Sequence, residues 1–328
     1  MPQRSTSAPR RTLLRAGAAG AALLAIPSLR AQGAFPNQPV KVVVPFGPGG
    51  FADITVRLLA QKMVDRLGQQ VVIENKPGAG GIVAAQAALA APADGHTTIL
   101  FSNGTTIATT LLKLPYDPEN DFAPVSSLAY FDLLVLTGGN SPHKDLQGLV
   151  AEGRRRMVNI GTINPGSTQH LSGELFKTVS GIQATVVPFK TSGEVQAALQ
   201  RGDVDIGMES YAALKGAIDG GALRALACTG SSRTAWLPNV PTVREGGVQN
   251  YDVTGWNALY VPKGTPAAAV NRLNAAMHEA LQDADLRKRY LDMGADPKGS
   301  TPAGMSQVFA RDKAKWAQVI KQANIKVT

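Results

Sequence analysis

The sequence predicts an α/β fold of two doubly wound units, each a mainly parallel sheet with helices on both faces, with a hinge and a ligand cleft between them. Three observations predict it. Short β-branched runs alternate with segments of helical period along most of the chain. The turns from strand to helix carry Gly, Ser, Thr and Asn. The whole pattern restarts after Gly138.

The first segment of the 328 residues stands outside that fold. Arg4, Arg10, Arg11 and Arg15 form a basic start without an acid, and Ala16 to Ile26 is an apolar run of eleven residues, too short to span a bilayer. Pro27, Ser28 and Ala31 to Ala34 form a cleavage region. These three parts predict a signal peptide over residues 1–33 and export to the periplasm by the Sec or Tat route. Arg10-Arg11-Thr12-Leu13-Leu14 resembles a twin-arginine signal. Cleavage leaves about 295 residues, enough to bury one large or two medium cores. The formal charge of +9 includes five leader arginines, Arg30 being the fifth, so the remainder carries about +4. Arg154-Arg155-Arg156 is a tight basic run, and no basic stripe with interleaved aromatics marks a nucleic-acid footprint. Cys228 is the only cysteine, so no internal disulfide is possible, and its apolar setting suits a small core side chain.

In the first unit, Val42-Val43-Val44 reads as a strand, and Val56, Leu59, Met63 and Leu67 recur at helical spacing. Between them lies Pro45-Phe46-Gly47-Pro48-Gly49-Gly50. Such a turn aims free N–H groups and a helix dipole at one spot, which suits a carboxylate or phosphate; an ordinary βα turn has the same look. The loop is neither a P-loop nor a GxGxxG dinucleotide turn. Val71-Val72-Ile73 and Thr97 to Phe101 are further strands, the latter ending in Ser102-Asn103-Gly104-Thr105. Leu133 to Leu136 is another.

The second unit repeats this style. Met157 to Gly161 is a strand leading through Thr162 to the Asn164-Pro165-Gly166-Ser167-Thr168 loop, and a helix follows from His170. Ala184 to Pro188 and Val204 to Met208 are strands on either side of a helix from Ser192 to Gln200; Glu209-Ser210-Tyr211 then opens a helix from Ala212 to Asp219. Leu223 to Ala227 reads as a buried strand. The C-terminal part is helical: Thr265-Pro266 and Thr301-Pro302 each start a helix, the last with Met305, Phe309, Trp316 and Ile320 on one face. Both helices are expected to pack on the first unit, giving domains of 34–137 with 256–328, and of 138–255. Ligands in such sheets bind beyond the carboxyl ends of the strands, which places these loops around one cleft.

VVVPFGPGGFADITVR, VVIENKPGAGG and LPYDPENDFAPV resemble the substrate-binding proteins of tripartite tricarboxylate transporters, the Bug receptors. So do GSTQHLSGELFKTVSG, VPFKTSGEVQAALQRGDVDIGM, LRALACTG, LPNVPTVREGG and VPKGTPAAAVNRLN, in order from Phe35 to the C-terminus. The resemblance implies a type II periplasmic binding fold, two α/β domains closing over an anion. It implies Phe46, Gly47, Gly49, Gly50, Phe51 and Asp53 in a first ligand loop, and Ser102, Asn103 and Thr105 in a second. On the other domain it implies Thr162, Asn164, Ser167, Thr168 and His170, then Lys190 and Ser192, then Glu209. Glu209 stands where relatives often have Asp, and Gly47 replaces a common Pro. Asp53 fits either a ligand contact or a helix cap, Phe46 and Phe51 either cleft wall or core, and Glu209 either the ligand or internal donors.

The expected function is therefore an extracytoplasmic receptor for a small organic acid, a monomer delivering it to transporter membrane subunits. A periplasmic sensor signalling to a regulatory partner is the alternative. No cofactor, metal or enzymatic activity is expected: His96, His143, His170 and His278 lack metal-ligand spacing, and no GxSxG elbow occurs. Ser167, His170 and Glu209 are the residues from which a hydrolytic set would have to be assembled.

Overall fold

The computed structural model describes residues 1–3 and 35–322, so the predicted leader and its cleavage region lie almost wholly outside the described residues. Strand β1 (Val40–Val44) pairs in parallel with β2 (Val71–Asn75) and β3 (Thr97–Ser102). Helix α1 (Phe51–Leu67) returns the chain from β1 to β2, its Val56, Leu59 and Met63 stripe buried against the sheet; each such side chain contributes about 1.5–3 kcal/mol relative to exposure. Helix α2 (Ile82–Leu89) covers the opposite face with Ala84, Ala85 and Ala88, and α3 (Asn103–Leu111) follows β3 directly.

Strand β4 (Phe122–Gly138) is much longer than the Leu133–Leu136 segment the sequence suggested. Pro124, Ser126 and Ser127 break its apolar alternation, and its register with β9 (Thr254–Pro262) shifts at Pro124/Ser126 and Ser127/Ala129. Through Asp132, β4 pairs antiparallel with β9, which itself pairs antiparallel with β3; from Leu133 it pairs with β7 (Ile206–Ser210) and β8 (Leu223–Cys228). One strand thus belongs to two sheet regions, and the sheet is less uniformly parallel than expected. The second region is completed by β5 (Val158–Ile163), parallel to both β7 and β6 (Ala184–Phe189). Its faces are covered by α4 (Leu146–Gly153) and α5 (Thr168–Ser180) on one side, and by α6 (Ser192–Arg201) and α7 (Tyr211–Asp219) on the other. Cys228 is fully buried there, and burial pushes its thiol up.

Two chain crossings between the regions are stitched by one residue. Thr229 Oγ1 accepts from Leu133 N–H at 2.8 Å and donates to the Val253 carbonyl at 2.7 Å. Its own N–H and carbonyl bond the same two residues. Helices α8 (Ala267–Leu281) and α9 (Ala284–Asp292) pack on the first region, and the short β10 (Ala295–Asp296) adds to β4. Helix α10 (Pro302–Gln322) departs from expectation. Met305 and Phe309 lie in the first region's core, but Trp316 and Ile320 lie in the core formed around α4 and α5. Its capping is as expected, Thr301 Oγ1 accepting from Gly304 N–H at 3.0 Å. At α8, Pro266 itself takes the N-cap position.

Candidate functional site

The loops after β1, β3, β5 and β6 meet between the two sheet regions, each turning directly into a helix. They enclose a pocket with about 390 Å³ of empty space, part of it continuous with solvent. Its walls are Phe46, Gly47, Gly50, Phe51, Ala52, Ser102, Phe131 and Asn257 from the first region, and Ile163, Thr168, Gln169, Lys190, Thr191 and Ser192 from the second. A smaller neighbouring pocket includes Phe46, Ser102, Thr105, Asn164 and Ser167.

The helix starts around the pocket differ in one respect. Ser102 caps α3 and accepts from Gly104 N–H at 3.1 Å; Ser167 caps α5 by accepting from His170 N–H at 3.1 Å; Thr191 caps α6 by accepting from Glu194 N–H at 3.2 Å. Helix α1 starts at Gly50 and has no side-chain cap. Its first N–H groups have no carbonyl four residues back, so they are left for water or a ligand. The positive end of the helix dipole points the same way. Asn257 Nδ2 adds a further donor: it lines the pocket, is buried, and has no hydrogen-bond partner. Asn164 Nδ2 is in the same condition in the neighbouring pocket.

Asp53 serves the loop rather than the pocket. Its carboxylate accepts from Gly49 N–H at 3.0 Å, Arg57 Nε at 2.9 Å and Asn75 Nδ2 at 2.9 Å. Burial pushes this carboxyl up, but the hydrogen bonds from Arg57, Gly49 and Asn75 outweigh it and hold it below its ordinary value. Asn75 also donates to the Phe46 carbonyl at 3.0 Å, so the end of β2 fixes both sides of the glycine loop. Gly49 has φ +78°, a conformation open to glycine at little cost. Gly47 and Gly50 differ in that they lie close against the second region. A Cβ on Gly47 would lie 2.8 Å from Thr191 Cγ2, and one on Gly50 would lie 3.3 Å from Ser192 Oγ.

Glu209 is fully buried behind the pocket. Its Oε2 accepts from Ser192 Oγ at 2.6 Å, and its Oε1 accepts from Gln169 Nε2 at 2.9 Å and from Ser210 N–H at 2.6 Å. Burial pushes its carboxyl up, and those three donors pull it partly back. His170 is buried and lines neither pocket; burial lowers its basicity and keeps the imidazole neutral near pH 7. Ser167 Oγ donates to the Ile163 carbonyl at 3.1 Å, and no hydrogen bond links Ser167, His170 and Glu209 through their side chains. Thr162 is buried behind the loop, and Asn103 bonds Thr168 across the regions. Phe46 and Phe51 are wall and core at once.

Six wall residues were invisible to sequence reasoning. Phe131 and Asn257 lie on the antiparallel strands β4 and β9, away from any βα loop. The one signal for Asn257 is its polarity in the run Trp256-Asn257-Ala258-Leu259-Tyr260. Ala52, Ile163, Gln169 and Thr191 sit beside residues that were named. Among the described residues, no group of His, Cys, Asp and Glu could hold a metal ion, and no helix is long and apolar enough to cross a membrane.

A two-lobed α/β fold with donor-rich helix starts facing a cleft is that of a solute-binding receptor. Residues 55–325 match the family described as tripartite tricarboxylate transporter family receptor, TctC, and the chain belongs to this family. Its fold is the type II periplasmic binding fold. The structure of MatC (Rpa3494) from Rhodopseudomonas palustris with bound malate is 34% identical with a TM-score of 0.82, covering 87% of this chain and 100% of that one. Rpa4515 of R. palustris with adipate is 34% identical with a TM-score of 0.85, covering 89% and 99%. The periplasmic binding protein BugD is 28% identical with a TM-score of 0.85, again covering 89% and 99%.

Proposed function

We propose that this receptor works in the periplasm, binds a small carboxylate-bearing metabolite between its lobes without chemical change, and delivers it to the membrane subunits of a tripartite tricarboxylate-type transporter. The observation that carries the reading is the uncapped start of α1 facing the same pocket as the unpartnered Asn257 amide. Together they offer several neutral donors, with Lys190 the one cationic residue in the wall, an arrangement that holds a carboxylate and can release it. The apolar walls Phe46, Phe51, Phe131 and Ile163 suit the carbon skeleton of such an acid. The bound malate and adipate of the two R. palustris relatives support a carboxylate, and the leader-like first 33 residues support export. For the lobes we propose limits at the change-over within β4, after Asp132, and at the start of β9, close to those the sequence suggested.

The reading is tested by thermal shift of the leaderless protein against malate, succinate, adipate, glutamate and neutral analogues. A ligand present at a hundred times its Kd stabilises by about 2.7 kcal/mol, a readily measured rise in Tm. Stabilisation by carboxylates and not by their amides is the expected result. Stabilisation only by neutral or cationic compounds would overturn it. Loss of uptake of the same acid on deleting the gene tests the delivery step.

A further inference from the structure

We infer that Ser192 and Thr168 select acids that carry a hydrogen-bond donor on their skeleton, a hydroxyl or an ammonium group, over the same acids without one. This rests on the carboxylate reading above and narrows it.

A serine or threonine hydroxyl has one proton to give and lone pairs to accept with. Ser192 gives its proton to Glu209 Oε2, at 2.6 Å. As a carboxylate Glu209 has no proton to give, so Ser192 is the donor; the other carboxylate oxygen accepts from Gln169 and from Ser210 N–H. Thr168 gives its proton to Asn103 Oδ1, at 2.6 Å. The Asn103 amide is oriented by Trp256 N–H, which donates to the same Oδ1 at 3.4 Å, so the threonine must be the donor. Both residues line the pocket, and both hydroxyls have only lone pairs left to offer. Ser192 Oγ looks straight across at the start of α1, since the position a Gly50 Cβ would take is 3.3 Å from it.

The facing lobe presents donors. The first N–H groups of α1 and Asn257 Nδ2 are donors, and Ser102, whose oxygen accepts from Gly104 N–H, has its proton free. Donors reach the pocket from both sides, because Lys190 and the starts of α5 and α6 line it as well, whereas the hydroxyls of Ser192 and Thr168 offer lone pairs. A plain carboxylate satisfies donors and leaves these two buried acceptors facing aliphatic carbon. A hydroxy or amino acid satisfies both. Sites built to bond a ligand hydroxyl reject the analogue lacking it strongly, because their own polar groups are left unpaired.

The test is calorimetric titration with acid pairs differing by one hydroxyl, succinate against L-malate and adipate against 2-hydroxyadipate, in the wild type and in Glu209→Gln. The glutamine keeps the shape and the acceptor for Gln169 and Ser210, but its amide donates to Ser192 and turns the serine proton toward the pocket. We expect the wild type to bind the hydroxy member at least about tenfold more tightly, and Glu209→Gln to bring the pair within about twofold or invert it. Thr168→Val, of similar shape, should also reduce the ratio and provides the check should Glu209→Gln not fold. Equal binding of both members by the wild type, or a preference unchanged in both variants, would overturn the inference and leave the carboxylate reading standing. Failure of every acid to bind the folded wild type would overturn both.

Discussion

Asn257 occupies a place on β9 where an aliphatic side chain would be the ordinary choice. Its neighbours Trp256 and Ala258 are buried core residues, and it is itself 2% exposed. A buried amide hydrogen without an acceptor costs stability. Under the proposed function a ligand carboxylate would accept it and recover that cost on binding. Asn257→Leu is therefore expected to weaken binding of the stabilising acid by roughly ten- to a hundredfold, the equivalent of about 1.5–3 kcal/mol for a hydrogen bond to a charged group. The ligand-free Tm should not fall, because the leucine removes an unpaired polar group. Titration calorimetry and a melting curve check both halves; an unchanged Kd would take Asn257 out of the site. At this scale the sequence was informative only where backbone decides chemistry. Gly49, Ser102 and Ser167 were legible because strand, turn and helix follow one another locally. Asp53 and Glu209 were legible as carboxylates near the cleft, but their employment was not. Arg57 and Asn75 claim the first, and Ser192, Gln169 and Ser210 the second, through contacts up to 40 residues apart.

Among the elements, β4 has the most unusual task, since it leaves one sheet region and enters the other between Asp132 and Leu133. Asp132 sits at that step and accepts from Thr254 Oγ1 at 2.9 Å. Burial pushes its carboxyl up to about 6; Thr254 pulls it down and the charge of Asp252 adds to the rise. A carboxyl raised in the folded state contributes stability that is present below its ordinary value of 3.8 and lost as pH rises through about 6. Asp132→Asn has no such loss. Its Tm relative to the wild type should therefore improve from pH 4 to pH 7, by no more than about 3 kcal/mol in stability. A constant offset across that range would show that Asp132 does not carry the effect. The short parallel strands and the helices between them followed from periodicity. The first half of β4 did not, because its prolines, serines and bulges hide the alternation that marks a strand. What makes it a strand is a partner, β9, more than a hundred residues later in the chain.

For the whole molecule, the two lobes touch through glycine. Gly80 N–H donates to the Pro165 carbonyl at 3.1 Å, and Gly47 and Gly50 lie against Thr191 and Ser192. Gly104 is the tightest case: a Cβ there would stand 2.6 Å from the Gly166 carbonyl oxygen and 3.0 Å from Thr168 N. Those atoms are backbone and cannot step aside. Gly104 is inside α3, where alanine is a better helix former than glycine. Gly104→Ala should then leave each lobe folded while preventing this approach of the two. The expected result is a larger radius of gyration by small-angle scattering with saturating acid, and affinity at least about tenfold weaker through faster release. A compact variant with wild-type affinity would show that closure does not need this contact. The sequence by itself determined the α/β class, the succession of βα turns and the family, because each rests on neighbours in the chain: strand period, glycine, helix period. Tertiary structure alone decided which turns meet and which of their polar groups are already spent. A hydrogen bond uses up a proton or a lone pair, and whether Ser192, Asn257 or Asp53 has one left depends on partners that only folding brings within 3 Å.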